Sequence, residues 1–370
     1  MIRILHIAQA AGGVERYLYT LLKRLDNSKY ENTLVCSQDY DVRKFQPIVS
    51  KVECIEMYRE ISFIKELKVI CKLRSLIKQY NPDIVYMHSS KAGAAGRIAN
   101  VGLHNVSIYN AHGWAFNMKC SNKKKKVYSF IERLLAPFCT QIVAISDFEK
   151  ESAIELGICK KDKIQVIFNG IDFDEYHSIR TGQSEAYELV PEGDFVVGCV
   201  GRLTKQKAPD IFIRAARKIK DKIPNAYFIM VGDGEQREEI GQLICELGLT
   251  DCVKITGWVD NPLEYVAHMD VATLLSRWEG FGLVLPEYMI LEKPVVATRA
   301  DAIPNVISNY KDGLLVDIDD YNAVARAVVL IHDDSKLATI LSKNGLKKVN
   351  ERFNVDRVAL EHEQLFARLL

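Results

Sequence analysis

Short apolar runs rich in β-branched residues alternate with longer segments of helical periodicity along almost all of the 370-residue chain. The runs of the first half are IRILHIA, NTLVC, DIVYMH, SIYNAH, QIVAIS and IQVIFNG, and those of the second half are FVVGCVG, AYFIMVG, VKITG, VATLLS, PVVAT and GLLV. Helices are expected between most of these runs, for instance over 64–79, 123–135, 209–220 and 235–247. Apolar strands separated by helices are typical of parallel sheets covered on both faces. The sequence therefore predicts an α/β protein.

The alternation is interrupted once, by a polar and aperiodic stretch between residues 174 and 194. Such a stretch is typical of a linker between domains. We therefore expect two Rossmann-like, doubly wound domains, at 1–175 and 190–354, which face each other across a cleft. A final helix over about 355–370 is a candidate to pack back on the first domain.

Charge and cysteine content exclude several classes of protein. The formal net charge of +1 argues against nucleic-acid binding. Residues 1–175 hold 26 Lys and Arg against 19 Asp and Glu, and the rest of the chain holds 23 against 29. The basic half suits an anionic surface or acceptor, or else attraction between the two domains. Nine cysteines without a CxxC pair favour reduced thiols in the cytosol over disulfides or zinc. No apolar run is long enough to span a membrane, so we expect a cytoplasmic protein that is soluble or peripheral on a membrane.

The stretch EGFGLVLPE, residues 279–287, lies where a buried strand is followed by a helix. Gly280 and Gly282 allow a tight turn close to a ligand, and Pro286 belongs in the first turn of the helix. Free N–H groups at a helix start suit a phosphate, and the carboxylates of Glu279 and Glu287 suit hydroxyl groups. A ligand that carries a phosphate between two hydroxyl-bearing groups is a nucleotide sugar. An ordinary glycine-rich loop with a capping glutamate explains the spacing equally well.

Other strand ends carry candidate ligand contacts. In GCVGRLTKQK, Arg202 and Lys207 follow Gly201 and can converge on one diphosphate, although a solvated basic loop explains them as well. Gly232, in VGDGE, marks a similar turn. Near the start of the chain, Gly12 and Gly13 join a strand to a helix, but a full GxGxxG motif is absent.

A histidine and a basic helix complete the candidates. His112, in YNAHGW, ends a strand and can donate to a ligand oxygen, although a structural histidine is an equal alternative. The lysines at 123–126 precede the amphipathic segment VYSFIERLLAPF. This arrangement is expected of a membrane-surface contact. The alternative is a helix packed on its own sheet beside a solvated lysine run.

Together these motifs resemble the family 4 retaining glycosyltransferases, which have the GT-B fold. The resemblance covers nearly the whole chain and rests on EGFGLVLPE with KPVVAT, GR…K at 201–207, GGVER, AHGW, VAIS and IFNGID. HSSKAGAAGR, at 88–97, resembles the bacterial members that build capsule, O-antigen or exopolysaccharide on lipid carriers. Three departures are visible. Asp301 and Ala302 stand where many relatives have two glycines, Asn305 follows Pro304 where they have Glu, and Ala208 replaces the usual glycine after the lysine.

The resemblance implies a nucleotide-sugar donor, expected to be a UDP-sugar, and a polyprenyl-diphosphate-linked glycan acceptor. Arg202 and Lys207 would hold the diphosphate, Glu287 the ribose and Glu279 the donor sugar, and His112 would contact the transferred sugar. The predicted donor-binding residues are Gly12, Gly13, Gly201, Arg202, Lys207, Gly232, Trp258, Val259, Glu279, Gly280, Phe281, Gly282, Leu283 and Glu287. The predicted catalytic residues are His112, Glu279, Arg202 and Lys207.

We therefore expect a retaining glycosyltransferase that needs no metal and no cofactor beyond its co-substrate. In this family the leaving phosphate is thought to take the acceptor proton, so no side-chain nucleophile is required. Two other functions stay open: a GT-B nucleotide-sugar epimerase, and a non-catalytic partner of another transferase. A nicotinamide-dependent dehydrogenase is disfavoured because no GxGxxG follows a strand.

Overall fold

The computed structural model of the chain describes residues 1–9, 11–58, 62–177 and 193–370. They form two compact units, Met1–Gly170 together with Val355–Leu370, and Ile171–Asn354. The first unit thus ends five residues before the boundary expected at 175. Part of the expected linker is helical, over Phe173–His177. Residues 178–192, including the boundary expected at 190, lie outside the described residues.

Unit 1, which comprises Met1–Gly170 and Val355–Leu370, contains one sheet of seven parallel strands in the order β3-β2-β1-β4-β5-β6-β7. The strands are β1 (Ile2–Ala8), β2 (Tyr30–Ser37), β3 (Lys51–Ile55), β4 (Ile84–His88), β5 (Val106–Asn110), β6 (Gln141–Ala144) and β7 (Ile164–Val166). The helices are α1 (Gly13–Arg24), α2 (Val42–Phe45), α3 (Phe63–Tyr80), α4 (Ser90–Ala99), α5 (Asn122–Leu135), α6 (Asp147–Glu155) and, from the end of the chain, α15 (Val355–Leu369).

Helix α15 belongs to the core of unit 1. It buries Val358, Leu365 and Phe366 in the same apolar cluster as Leu18 and Leu21 of α1. Burying a side chain of this size contributes about 1.5–3 kcal/mol, so the contact is energetically substantial. The last helix therefore completes the layer that α1 begins.

Unit 2, which comprises Ile171–Asn354, contains one sheet of six parallel strands in the order β10-β9-β8-β11-β12-β13. Its strands are β8 (Phe195–Val200), β9 (Ala226–Val231), β10 (Val253–Ile255), β11 (Val271–Leu274), β12 (Val295–Thr298) and β13 (Leu314–Val316). Its helices are α7 (Phe173–His177), α8 (Pro209–Lys220), α9 (Arg237–Glu246), α10 (Pro262–Ala267), α11 (Val284–Ile290), α12 (Ile303–Val306), α13 (Tyr321–Asp333) and α14 (Ser335–Arg352).

The structure confirms the α/β prediction, and each of the twelve predicted apolar runs contains a strand. One strand was missed. The sequence of β3, KVECI, carries two charged residues, and the strand lies at the edge of the sheet, where charged side chains are common. The apolar pattern that reveals central strands is therefore absent from β3.

Both sheets share one feature that positions a binding site. In each, the strand order reverses direction beside the first strand of the unit, between β1 and β4 and between β8 and β11. The connections on either side of such a switch point leave in opposite directions and open a crevice at the carboxyl ends of the strands. Ligand-binding residues are therefore expected after β1 and β4 in unit 1, and after β8 and β11 in unit 2.

Candidate functional site

The switch point of unit 2 is braced by a buried tyrosine. Strands β8 and β11 pair only at Val197–Val271 and Gly198–Ala272. Beyond these pairs, the Tyr288 hydroxyl accepts a hydrogen bond from the Val200 N–H at 2.8 Å and donates to the Thr273 carbonyl at 3.4 Å. One side chain thus joins the ends of both strands. Tyr288 was not predicted from the sequence, although it stands directly after Glu287.

The loops after these strands meet in an ion pair. The ammonium nitrogen of Lys207, after β8, lies 2.5 Å from Oε2 of Glu279, after β11. Ser276, which is fully buried, donates a second hydrogen bond of 3.1 Å to the same carboxylate oxygen. The lysine and glutamate side chains remain 23% and 12% exposed, so an incoming ligand can reach both. Two predicted catalytic residues therefore lie in direct contact.

Asp301 holds the backbone of this loop. Its φ of 40° lies in the left-handed region, where glycine is most easily accommodated, and its carboxylate accepts a hydrogen bond from the Glu279 N–H at 3.0 Å. Aspartate tolerates this conformation better than most side chains. The departure from two glycines therefore preserves the turn and adds a contact to a predicted catalytic residue. Ala208 adopts a φ of 53°, which explains why glycine is usual there.

Arg202 differs from Lys207 in having no partner. Its side chain is exposed and forms no ion pair or hydrogen bond with any residue that the structure describes. A small pocket at the ends of β8 and β11 is lined by Gly201, Arg202 and Lys207. Two cations, one free and one paired, therefore border a single pocket.

Arg277 links the two loops and was not identified from the sequence. Its guanidinium contacts Asp210 at 2.7 Å, Asp319 at 2.6 Å and the Lys205 carbonyl at 2.9 Å. These contacts fix the loop that carries Lys207 against the loop that carries Glu279. No sequence motif signals Arg277, because its partners lie 67 and 42 residues away.

Gly232 and Trp258 are brought to the same side of the sheet. A Cβ on Gly232 would lie 2.2 Å from the Gly201 carbonyl oxygen, so this glycine permits close packing of two loops. Gly232 also bridges to Gly257, which precedes Trp258. The Trp258 indole is 67% exposed and Val259 is half-buried. A structural reason for Gly232 is thus visible, whereas Trp258 has an open face for a planar ligand.

The remaining predicted residues form the start of α11. Leu283 is the N-cap, and Gly282 has a φ of 81°, which confirms the predicted tight turn before the helix. Phe281 is buried and packs edge-on against Phe353 with ring centroids 5.5 Å apart. Gly280 is half-buried in the loop, and Glu287 is 2% exposed within α11.

In unit 1, the two glycines after β1 are exposed to solvent. Gly12 is the N-cap of α1 with a φ of 88°, and a Cβ placed there would meet no atom of the described residues within 4 Å. Its N–H donates a long hydrogen bond to the Glu15 carboxylate at 3.4 Å. Gly13 is the exposed first residue of the helix. Packing therefore does not require glycine at position 12, in contrast to Gly232.

His112 stands after β5 in a strained conformation. Its φ is 53°, and its N–H donates to Asn110 Oδ1 at 3.0 Å. Its Nε2 lies 3.0 Å from Nδ1 of His88, and its ring meets the edge of Tyr17 with centroids 4.5 Å apart. Burial lowers the pKa of His112 to about 3, so the ring is neutral near pH 7. Backbone strain of this kind is concentrated at functional sites.

Glu149 orders the loop that follows His112. Its carboxylate accepts hydrogen bonds from the Trp114 N–H at 3.1 Å and the Ile145 N–H at 3.2 Å. Burial raises the pKa of Glu149 to about 7. Trp114 is 1% exposed and stacks on Phe116, so it is a packing residue and not a platform for a sugar.

Helix α5 exposes its apolar face. Val127, Phe130, Ile131 and Leu134 are each more than 40% exposed, whereas Ser129, Glu132 and Leu135 are buried. Glu132 makes a buried ion pair with Arg97 at 2.8 Å, and Tyr109 donates to it at 2.9 Å. The polar side of α5 therefore packs inward. Of the lysines before the exposed face, Lys123, Lys124 and Lys126 are exposed and Lys125 is half-buried.

The described residues contain neither a cluster of metal-binding side chains nor a membrane-spanning helix. No group of three or more His, Cys, Asp or Glu side chains among them is arranged to hold a metal ion. Within the same residues, every helix is too short or too polar to cross a bilayer.

The sequence of each unit matches a known family. The profile of glycosyltransferase family 4 matches residues 11–175, and the profile of glycosyl transferases group 1 matches residues 183–348. The two matches fall one on each half of the chain, and together they cover most of it.

Individual proteins extend these matches. The UDP-Gal:alpha-D-GlcNAc-diphosphoundecaprenol alpha-1,3-galactosyltransferase of Escherichia coli is 30% identical over 364 residues, which cover 96% of this chain and 94% of that protein. The capsular polysaccharide biosynthesis glycosyltransferase CapM of Staphylococcus aureus is 27% identical, over 91% of this chain and 90% of its own length. Anabaena HepE, solved in complex with UDP and glucose, superposes with a TM-score of 0.85 at 22% identity, over 99% of this chain and 100% of that chain. This structural likeness shows a shared fold.

Proposed function

The chain belongs to glycosyltransferase family 4 and has the GT-B fold, and on that premise we propose that it moves a sugar from a UDP-sugar to a lipid-linked glycan, with retention of anomeric configuration, in the assembly of a bacterial surface polysaccharide. The observation that carries the proposal is the contact between Lys207 and Glu279 at the switch point of unit 2, beside the free cation of Arg202. A diphosphate needs cations, and a sugar needs hydrogen-bond acceptors. Both are present there within one small site.

The chemistry follows from charge. As the bond between the sugar and the diphosphate breaks, negative charge grows on the leaving phosphate and positive charge grows on the sugar. Arg202 and Lys207 stabilise the first change because they are in place before the reaction starts. Glu279 is anchored by Ser276 and Asp301 and offers a negative charge to the sugar. The leaving phosphate itself takes the acceptor proton, so the transfer requires no side-chain nucleophile.

The contact between Lys207 and Glu279 also supports an order of events for the proposed reaction. In the ligand-free protein the Lys207 ammonium is held by a carboxylate, and the diphosphate replaces or shares that partner when the donor binds. Glu279 is then released toward the sugar hydroxyls. Ser276 and Asp301 hold Glu279 in place during this exchange, so little reorganisation remains for the transition state.

Two features support UDP as the nucleotide. The Escherichia coli relative is named for UDP-Gal, and HepE was solved with UDP. In unit 2, the exposed Trp258 offers an aromatic face to a base, with Val259 beside it, and Glu287 is the proposed ribose contact. The backbone at Phe281, Gly282 and Leu283 contributes N–H groups to the diphosphate.

The lipid-linked acceptor is supported by the same relative, whose name includes a diphosphoundecaprenol carrier. Helix α5 supplies a physical argument for the membrane. Its exposed apolar face, made by Val127, Phe130, Ile131 and Leu134, is preceded by a run of four lysines. An apolar stripe beside cations matches the acyl and headgroup layers of an anionic bilayer. We place the protein on the cytoplasmic face of the plasma membrane as a peripheral enzyme.

Vesicle binding tests this placement. Replacing the four lysines by Ser is expected to weaken binding to anionic vesicles at low salt by up to about 1 kcal/mol per lysine. Replacing Phe130 and Leu134 by Ser is expected to weaken binding at high salt also, because apolar burial is not screened. Lys160 and Lys161 are exposed in the same unit, and their replacement by Ser is the control for the loss per lysine. Equal sedimentation of all variants with vesicles would refute the membrane contact.

The first experiment on function is a donor screen. UDP- and GDP-sugars are added to the purified protein, and the donor is expected to raise the melting temperature. The matched donor is then incubated with a polyprenyl-diphosphate-linked glycan, and the product anomer is read by NMR. We expect the α-linked product from an α-linked donor, and unchanged turnover when EDTA is present. An inverted product or loss of turnover in EDTA would contradict the proposed mechanism.

The same assay separates the two alternatives. An epimerase would release an altered sugar from the donor without any acceptor. A non-catalytic partner would bind donor without turnover, although the presence of Arg202, Lys207, Glu279 and Glu287 makes this the weaker alternative. Transfer that depends on the acceptor excludes both.

A further inference from the structure

Four imidazoles lie together in unit 1; those of His6, His88 and His362 are buried, and that of His112 is half-buried. His6 is in β1, His88 ends β4, His112 follows β5 and His362 is in α15. Burial lowers the pKa of His6 and His362 to about 4 and of His112 to about 3, and it lowers the pKa of His88 well below its usual value. All four rings are therefore neutral near pH 7. A neutral imidazole has one donor nitrogen and one acceptor nitrogen.

The tautomer of His362 follows from its partners. Its Nδ1 lies 2.7 Å from the Val358 carbonyl, which can only accept, so Nδ1 carries the proton. Its Nε2 must then accept, and the Tyr17 hydroxyl lies 2.8 Å away. Tyr17 is thereby fixed with its hydroxyl toward α15 and its ring against His112. The last helix of unit 1 thus holds the ring that supports His112.

The other three histidines form a relay that ends at His112. Nε2 of His6 lies 3.1 Å from Asn32 Oδ1, Nδ1 of His6 lies 3.3 Å from Nε2 of His88, and Nδ1 of His88 lies 3.0 Å from Nε2 of His112. Because each neutral ring donates once and accepts once, the three bonds must point the same way. The oxygen of Asn32 accepts from Nε2 of His6, so His6 accepts from His88 and His88 accepts from His112.

This direction decides what His112 offers to a ligand. Its Nε2–H is used inside the protein, and its Nδ1 makes no hydrogen bond to the part of the chain that the structure describes. The free nitrogen is therefore an acceptor, whereas the sequence suggested that His112 donates to a ligand oxygen. The strained φ of 53° and the bond from its N–H to Asn110 fix the backbone that carries the ring.

We propose that His6 and His88 are positioning residues that hold His112 as its Nε2–H tautomer, so that Nδ1 accepts a hydrogen bond from a hydroxyl group of the transferred sugar. The proposal rests on the proposed function in its assignment of His112 to that sugar. A hydroxyl that donates to His112 gains electron density on its oxygen, which favours the positive charge that develops on the sugar. A neutral ring also avoids the repulsion that an imidazolium would exert on that charge.

The decisive experiment reads the tautomer directly. Protein labelled with ¹⁵N-histidine is studied by long-range ¹H–¹⁵N correlation NMR near pH 7, and the His112 signals are assigned by their loss in His112→Gln. We expect a protonated Nε2 and a bare Nδ1. An Nδ1–H tautomer, an averaged mixture or an imidazolium would overturn the proposal. This measurement needs no substrate, so it decides the relay even if the proposed reaction is wrong.

Variants at position 88 connect the tautomer to turnover. A glutamine can accept from His112 and donate to His6, so His88→Gln is expected to keep the tautomer and to stay within a few-fold of normal kcat. His88→Leu removes both bonds and is expected to mix the tautomers and lower kcat roughly tenfold or more. The affinity for UDP, measured by calorimetry, is expected to remain normal. A folded His88→Leu protein with normal kcat and unchanged His112 signals would contradict the proposal.

Variants of Asn32 test the same proposal independently, in case a His88 variant does not fold. Asn32 lies at the far end of the relay, so Asn32→Asp, which can only accept, is expected to preserve the tautomer of His112. Asn32→Leu removes the acceptor and is expected to allow both neutral tautomers of His112. Identical His112 signals in the two variants would refute the relay. If no nucleotide sugar supports transfer in the unmodified protein, the proposed function fails and the tautomer measurements still stand on their own.

Discussion

The two switch points have the same strand order and opposite chemistry. In unit 1 the crevice beside β1 and β4 is backed by neutral, buried histidines and tyrosines joined to one another. In unit 2 the crevice beside β8 and β11 holds a carboxylate, a paired lysine and a free arginine, all partly open to solvent. One topology thus supports a polar but uncharged network in one unit and a charged, accessible site in the other.

The difference shows what the fold determines and what it leaves to side chains. Strand order places loops together at one edge of each sheet. Whether those loops bear charge depends on burial, because an isolated charge is costly in the interior and affordable near water. The crevice of unit 1 is therefore backed by uncharged hydrogen bonds that fix orientation, and that of unit 2 carries ions that are partly exposed to solvent.

The largest expected difference between the units is in their loss of stability at acid pH. His6, His112 and His362 have pKa values of about 4, 3 and 4 in the folded protein and 6.5 in the unfolded chain, so the unfolded chain gains protons first as the pH falls below about 6.5. Each contributes about 2 kcal/mol of lost stability between pH 7 and pH 5. Glu149 acts in the opposite direction by a similar amount, because its pKa is raised to about 7. Together these four groups lower the stability of unit 1 by about 4 kcal/mol, and His88, whose pKa burial also lowers, adds to the loss.

Hydrogen exchange at pH 7 and pH 5, corrected for the intrinsic rate, measures this loss in each unit separately. Protection of β1, β4 and β5 is expected to fall much more than protection of β8 and β11. Equal changes in the two sheets would mean that the histidine network does not distinguish the units.

Removing a cation tests the charged crevice. Lys207→Ala is expected to lower transition-state stabilisation by about 2–4 kcal/mol, by analogy with the loss of a donor to a developing anion. The measurement is kcat/KM with the matched donor, with folding checked by thermal melting. Lys205→Ala is the control, since this exposed lysine lies in the same loop. A similar loss in both variants would indicate a general charge effect instead of a specific contact.

Substitutions of Glu279 and Glu287 are expected to change binding and turnover in different ways. Glu287→Ala should weaken free UDP and UDP-sugar alike, because both carry ribose. Glu279→Ala should not weaken free UDP, because it removes the carboxylate that competes for Lys207. Glu279→Gln should reduce turnover at least about tenfold, or roughly 1.4 kcal/mol, if the negative charge stabilises the sugar. Calorimetry with UDP and steady-state rates distinguish these outcomes, and parallel loss of UDP affinity in both Ala variants would reverse the assignment.

Gly12→Ala gives the smallest predicted effect, and Gly232→Ala provides a contrast. Gly12→Ala meets open space, so only its positive φ opposes the change, and we expect about 1 kcal/mol of lost stability. If Gly12 makes room for a ligand, turnover is expected to fall by more than the small loss of stability explains. Gly232→Ala is expected to be more destabilising, because its Cβ would overlap the Gly201 carbonyl. Thermal melting of the two variants compares them, and equal shifts would contradict the proposed difference.

The sequence predicted the fold well because apolar runs identify buried parallel strands. It also placed Lys207 and Glu279 at strand ends, but it did not predict their contact, since they are 72 residues apart and joined only by the strand order. The histidine relay was not predicted from the sequence for the same reason. His6, His88 and His112 each look like isolated residues, and their bonds span 82 and 24 residues.

Helix α5 shows a different limit. Its apolar period is clear in the sequence, yet periodicity does not say which face packs inward. The buried ion pair of Arg97 and Glu132 turns the polar side toward the sheet, so the apolar side faces out. Such a helix is interpreted correctly only when the partners of its charged residues are known.

The place of α15 has a consequence for how the protein is made. Unit 1 begins at Met1 but includes Val355–Leu370, and Tyr17 finds its acceptor on His362, 345 residues later. During translation, unit 2 can emerge from the ribosome and fold as a contiguous segment, whereas the first 170 residues must wait for the last helix. A growing chain would thus expose the apolar side of α1 for nearly the whole of its synthesis, and this surface is where a chaperone would be expected to bind it.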